Sequence, residues 1–446
     1  MRRVELIVPL LFLFAVPLKA QEESDAPTRP LGSPPEVRVE PLPEVPAPAA
    51  PPSLEATSTP PTDAQAMARA LEAGPPALLP EANPASAAFI GPPLVPPFEL
   101  LGQKVAAGEH RVLEWKAGQG FAGGDTLVPV HVVHGSRPGP VLCLTAAIHG
   151  DEINGVEIVR RTVNRLDADR LSGTVIAVPI VNLFGFTRGS RYLPDRRDLN
   201  RYFPGSPQGS VAARLAYGFF QAIVLRCGAL VDFHTGSFDR DNLPQVRADL
   251  RLPEVLRFVR GFGSLPVLHS AGARGMLRVA ATQAGIPAAT FEVGAPGVIQ
   301  IDQVEVALAA IDALMHHLAM IPDRPLDDEP QAIFYESRWV RAHAGGVLVA
   351  DVSLGQRVEA GQRLGLIVDP LRNREQPILA PVAGRVIGMA RNQVMLPGFA
   401  AFHIGEASSA EEVSSAAASG RLEEDGEEET EEDGSERRDE DFDLDP

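Results

Sequence analysis

The chain has 446 residues, 45% of them hydrophobic, and a formal net charge of −18, so it can bury a sizeable core and has the length for two or three domains. Residues 421–446 hold fifteen acids against three arginines, −12 of that total; the near-neutral remainder has no basic stretch able to track a phosphate backbone, which argues against a nucleic-acid binder. Lysine occurs only at Lys19, Lys104 and Lys116, so beyond residue 116 there is no amine for a Schiff base, a phosphate-binding loop, or biotin or lipoyl attachment.

The chain opens with Arg2 and Arg3 ahead of an apolar run from Leu6 to Leu18, followed by Lys19, Ala20 and polar residues. That pattern reads as a secretory signal peptide over residues 1–20, cut after the small Ala20, since the run is shorter than the ~20 residues a membrane span needs. The protein is therefore expected to be exported, to the periplasm, with no stable membrane span after cleavage. Retention of the segment as an uncleaved anchor is the alternative. Residues 21–100 contain 20 of the 42 prolines and read as a disordered, extended linker. Cys143 and Cys227, the only cysteines, both fall in or beside apolar strands and read as buried thiols rather than a bridge.

From Leu127 onward apolar and amphipathic runs alternate. Strands are predicted at 127–133, 141–147, 174–181, 229–233, 266–269 and 288–291, and helices at 155–166, 210–226 and 304–320. Ile158, Val159, Val163 and Leu166 recur at helical spacing. Such alternation predicts an α/β domain over residues 101–325, a mostly parallel (mixed) sheet with helices on both faces. In that architecture ligands gather at the carboxyl ends of the strands.

Three strands deliver a histidine or a glutamate to one edge of the sheet. The first runs into His149-Gly150-Asp151-Glu152, the second into Asp232-Phe233-His234, and the third into Phe291-Glu292-Val293-Gly294. A histidine and a glutamate three residues apart can face one ion, and a distant second histidine completes a two-histidine, one-carboxylate set with an open position, the pattern of hydrolytic zinc sites. A cation held so lowers the pKa of a water toward neutrality. Glu292, closing a buried strand, is costly unless paired or used. Asp151 reads as a turn residue that supports its neighbour.

These motifs, with the stretch from Arg191-Tyr192 to Asp198-Leu199-Asn200-Arg201, resemble the succinylglutamate desuccinylase and aspartoacylase family of zinc-carboxypeptidase-like fold, over about residues 120–320. The resemblance implies hydrolysis of an N-acyl amide bearing a carboxylate, with one Zn2+ per chain held by His149, Glu152 and His234. It implies that Glu292 is the general base and that Arg191, with Arg197 as substitute, polarises the scissile carbonyl. Asn200 and Arg201 would grip a substrate carboxylate. The stretch from Ser237 to Ala280 carries no recognised motif, so the acyl group does not transfer.

Residues 331–405 change to short strands and glycine turns, as in Gly355-Gln-Arg-Val-Glu-Ala-Gly361, which predicts a small all-β barrel or sandwich. This segment resembles the biotinyl/lipoyl-like barrel that ends many bacterial members of the family. Without a lysine it cannot carry a swinging arm, and it reads as a structural or substrate-shaping cap or an oligomerisation surface. His343 and His403 read as ordinary polar residues. The tail, 406–446, is acidic and expected to be disordered.

The sequence thus predicts an exported zinc-dependent amidohydrolase acting on a small N-acyl amino acid or peptide. Its rivals are a periplasmic carboxypeptidase on wall-derived peptides and a catalytically silent ligand-binding module. Oligomeric state is left open.

Overall fold

A computed structural model describes residues 95–119, 123–322, 331–391 and 394–406. The signal-peptide segment, most of the linker and the acidic tail lie outside the described residues. Among the described residues no helix is long and apolar enough to cross a membrane.

The last residues of the expected linker are already structured. Strands β1 (Phe98–Leu100) and β2 (Gln103–Val105) form an antiparallel hairpin with Leu100 buried. There follow β3 (Glu109–Gln119), β4 (Asp125–His134), β5 (Arg137–Ala146), α1 (Asn154–Arg165), β6 (Ser172–Val178), α2 (Leu183–Phe186) and α3 (Val211–Ala222). Next come β7 (Ala229–His234), β8 (Arg240–Ala248), α4 (Pro253–Val259), β9 (Val267–His269), α5 (Leu277–Gln283), β10 (Ala288–Gly294) and α6 (Ile301–His317).

Strands β6, β5, β7 and β10 pair in parallel at the centre of the sheet. Antiparallel β4 and β3 extend one side and β8 the other, so the sheet is mixed around a parallel core. Buried on both faces, the central strands read as continuous apolar runs. One face packs against α1, α4 and α6 through Ile158, Phe258 and Ile311, and the other against α3 and α5 through Phe219 and Leu277. The helices therefore cover both faces, as the alternation predicts.

Cys143 and Cys227 form a disulfide, against the expectation of separate thiols, with Cα atoms 5.6 Å apart. Strand adjacency explains the correction. β5 and β7 are neighbours in the sheet although more than eighty residues separate the cysteines, and Cys227 lies two residues ahead of β7, whose Leu230 stands opposite Cys143. That Cα separation falls within the bridging range.

The C-terminal segment is all-β: β11 (Ile333–Phe334), β12 (Ser337–Arg341), β13 (Gly346–Ala350), β14 (Arg357–Val358), β15 (Arg363–Asp369), β16 (Arg374–Leu379), β17 (Gly384–Ala390), β18 (Val394–Met395) and β19 (Ala400–Glu406). Strands β13, β15, β16 and β18 form an antiparallel sheet with a core of its own around Leu348, Ile367 and Phe402. The segment does not stand apart. β17 pairs antiparallel with β8, aligning Gly388 with Asn242, and β19 and β12 continue beyond it, so the central sheet runs unbroken into the β segment.

Candidate active site

The carboxyl ends of β5, β7 and β10 converge on one edge of the sheet. β5 leaves through Ala147, whose φ of 50° lies in the left-handed region that costs a residue with a side chain on the order of 1 kcal/mol or more. Beyond it, Gly150 packs so tightly that a Cβ there would lie 2.0 Å from the carbonyl carbon of Gly185. This sharp exit delivers His149 and Glu152 to the edge just before α1 begins.

His149, Glu152 and His234 are all buried and form the metal-competent cluster among the described residues. Nδ1 of His149 lies 2.9 Å from Glu152 Oε1, Nδ1 of His234 lies 2.9 Å from Glu152 Oε2, and the two Nδ1 atoms are 3.2 Å apart. The outer nitrogens are held too. Nε2 of His149 donates to Asp198 Oδ1 at 3.0 Å, and Nε2 of His234 donates to Asp232 Oδ2 at 2.8 Å. Thr145, opposite Asp232 in the β5–β7 register, donates to the other Asp232 oxygen at 2.7 Å.

This geometry fits a cation. A carboxylate can only accept, so each imidazole spends its Nε2 proton on an aspartate and turns the Nδ1 lone pair inward. Two lone pairs and a carboxylate crowded within about 3 Å repel one another unless something positive lies among them. Ligands 2.0–2.1 Å from a tetrahedral zinc would stand roughly 3.3 Å apart, close to the separations found.

The titration behaviour points the same way. Burial and the Arg191 guanidinium press the His149 pKa down, but Glu152 and Asp198 outweigh them and raise it. Burial likewise opposes protonation of His234, yet Asp232 and Glu152 drive its pKa well up. Glu152 is held far below the usual carboxylate range by the two imidazoles despite its burial. The cluster therefore favours positive charge, part of which Arg191 supplies from 3.4 Å away from Glu152, and a bound cation could supply the rest.

Arg191 reaches into this cluster, and Arg197 does not. Arg191 donates to Asp198 Oδ2 and to Ser237 Oγ, both at 2.7 Å, and lies 3.1 Å from His149 Nδ1. Arg197 instead pairs with Asp195. Glu292 sits beside His234 in the parallel β7–β10 register. Its Oε2 accepts from Asn242 Nδ2 at 3.0 Å, and Arg247 Nε approaches Oε1 at 3.7 Å. Burial raises the Glu292 pKa above the ordinary carboxylate value, against the pull of Arg247.

The structure places Asn200 and Arg201 on the same loop as Asp198. Asn200 is buried, and its Oδ1 accepts from the backbone N–H of Leu277 at the start of α5. Arg201 is half-buried and donates to the Asn200 carbonyl. Asp151 stays outside the ligand cluster, its carbonyl accepting from Gly297. Sequence reasoning gave no role to Asp198, Asp232, Thr145 or Asn242. For Asp232 a signal was present, since residues two apart on a strand share a face.

Residues 138–318 match the succinylglutamate desuccinylase/aspartoacylase catalytic domain. The matched segment resembles that family's catalytic domain. Among curated relatives, the N-alpha-acetyl-L-2,4-diaminobutyric acid deacetylase of Halomonas elongata is 28% identical over 270 residues, which covers 58% of this chain and 78% of the relative. A succinylglutamate desuccinylase/aspartoacylase from Rhodobacter sphaeroides superposes with a TM-score of 0.61 at 23% identity, covering 67% of this chain and 96% of that one. The product-bound ectoine utilization protein EutE of Ruegeria pomeroyi gives 0.60 at 25% identity, with 67% and 95% covered. Similarity to the succinylglutamate desuccinylase/aspartoacylase family supports an enzyme acting on amide bonds, on a zinc-carboxypeptidase-like fold.

Proposed function

We propose that this protein is a succinylglutamate desuccinylase/aspartoacylase family member and an exported zinc-dependent deacylase that hydrolyses the amide of a small N-acyl amino acid carrying a free carboxylate. The observation that carries the reading is the inward-facing triangle of His149 Nδ1, His234 Nδ1 and the Glu152 carboxylate, each imidazole backed by an aspartate. These three residues would hold a zinc ion, which would supply Lewis acidity and lower the pKa of a water at the site.

The chain's own groups supply the rest. Glu292, on the strand beside His234, takes a proton from the attacking water and returns it to the leaving nitrogen, and burial brings its pKa toward the working pH of such a base. Arg191, one-tenth exposed and fixed by Asp198 and Ser237, presents a rigid cationic fork to the carbonyl oxygen as negative charge develops there. Arg201 grips the substrate carboxylate, and Asn200 fixes the loop that carries it through its bond to Leu277 while its amide nitrogen joins the contact. The relative's activity on an acetylated diamino acid supports an acyl group of small size. A disulfide between Cys143 and Cys227 agrees with the export signal read in the first twenty residues, since such bridges persist in oxidising compartments.

The test is a panel of N-acetyl and N-succinyl amino acids and short peptides offered to the zinc-loaded protein. Turnover of at least one N-acyl amino acid is expected, falling by about 10²–10⁴-fold in Glu292→Gln while zinc stays bound. Turnover of peptides alone would shift the assignment to a carboxypeptidase, and a fully zinc-loaded chain inert to the whole panel would make it a binding module.

A further inference from the structure

A lateral row of residues crosses from the β segment into the active site. In the strand registers His403 of β19 stands opposite Gly388 of β17, Gly388 opposite Asn242 of β8, and Glu292 of β10 opposite His234 of β7. Between β8 and β10 the register shifts, so that Gly294 faces Asn242 and Glu292 faces Gln245. Such an irregularity re-aims side chains, and here the Asn242 amide reaches across it to donate to Glu292 Oε2 at 3.0 Å.

Gly388 leaves the space that the Asn242 amide occupies. A Cβ at position 388 would lie 2.8 Å from Asn242 Oδ1 and 3.2 Å from the His403 Cβ. Its φ is not positive, so the glycine is required by space and not by backbone conformation. With the oxygen of Asn242 against Gly388 and without a hydrogen-bond partner among the described residues, the NH2 group is left facing Glu292. The seam is fastened on either side of this contact. Gln245 Nε2 donates to the Ile387 carbonyl at 3.2 Å, and the Arg240 guanidinium lies 5.0 Å from the Trp339 ring, which stacks on His403 at 4.1 Å.

We propose that Asn242 is a positioning residue for Glu292, and that the C-terminal β segment enforces its orientation through Gly388. The proposal rests on the reading of Glu292 as the general base. The β segment then has a task that needs no carrier lysine: it closes the sheet edge beside the base and keeps Glu292 Oε2 bonded, while Oε1 faces the Arg247 guanidinium at 3.7 Å.

The experiment uses the full-length, zinc-loaded chain and the N-acyl amino acid turned over fastest in the panel. Asn242→Ala and Gly388→Ala should each lower kcat roughly 10- to 100-fold, with KM within about twofold and zinc content unchanged. The double variant should be no worse than Asn242→Ala alone, because the added methyl then has no amide oxygen to displace. Asn242→Asp, equal in size, removes the N–H donor and sets a second carboxylate against Glu292, so it should lose more than Asn242→Ala. Full kcat in Asn242→Ala together with an inactive Glu292→Gln overturns the positioning role and leaves the base standing. Additive losses in the double variant overturn the coupling through Gly388. An active Glu292→Gln overturns the base assignment itself.

Discussion

Nε2 of His234 lies 2.8 Å from Oδ2 of Asp232, two residues earlier on the same strand, and that bond decides which imidazole nitrogen turns toward Glu152. Asp198 does the same for His149 from a loop forty-nine residues away. Without these partners either ring could present the wrong tautomer or rotate away from its neighbours.

Asp232→Asn therefore should weaken zinc binding by about 10- to 100-fold while leaving the fold intact. Competition against a chelator of known affinity measures this directly. Thr145→Val, which removes only the hydroxyl bonded to the second oxygen of Asp232, should move affinity in the same direction by less. Unchanged affinity in Asp232→Asn would show that His234 is oriented by something else.

The Cys143–Cys227 bridge ties together the two strands that deliver His149 and His234, closing a sequence separation of 84 residues. A loop of that size predicts roughly 2–5 kcal/mol of stabilisation, mostly through the unfolded chain. The double variant Cys143→Ala/Cys227→Ala should show an unfolding free energy lower by that amount, read as a lower denaturant midpoint at unchanged slope, and added reductant should no longer affect it. Equal midpoints for variant and parent under oxidising conditions would contradict the assignment of a stabilising bridge.

The pH dependence of stability should carry the mark of His403. Burial, reinforced by Arg247 and Arg240, holds its pKa well below the ordinary histidine value. The folded state thus keeps this ring neutral while the unfolded chain protonates it near pH 6.5. With more protons bound in the unfolded state, stability is fully present above that pH and declines as pH falls below it, by at most about 1.4 kcal/mol per pH unit. Urea midpoints between pH 7.5 and 5 measure the slope, which His403→Phe should flatten. A slope identical in parent and variant would place the effect elsewhere.

Much of this was legible in the residues themselves. Hydrophobic periodicity located the parallel core strands and the helices α1 and α6, and the motifs at strand ends marked His149, Glu152, His234 and Glu292. What escaped depends on which strands become neighbours. The pairing of Cys143 with Cys227 follows from β5 lying next to β7, which no local pattern announces. Strand β8 was missed because Arg240-Asp241-Asn242-Leu243-Pro244 is polar and interrupted by proline, a sequence that reads as a loop. With β8 unseen, neither the pairing of β17 onto the catalytic sheet nor the bond from Asn242 to Glu292 could be anticipated. The role of Asp198 depended likewise on a loop folding back over β5.

The most direct test of the central claim is elemental metal analysis of the full-length protein purified without added metal, set beside His149→Ala and His234→Ala prepared in parallel. About one zinc per parent chain is expected, with little or none in either variant. Equal zinc in all three proteins, or none in any of them, would contradict a metal centre built from these side chains.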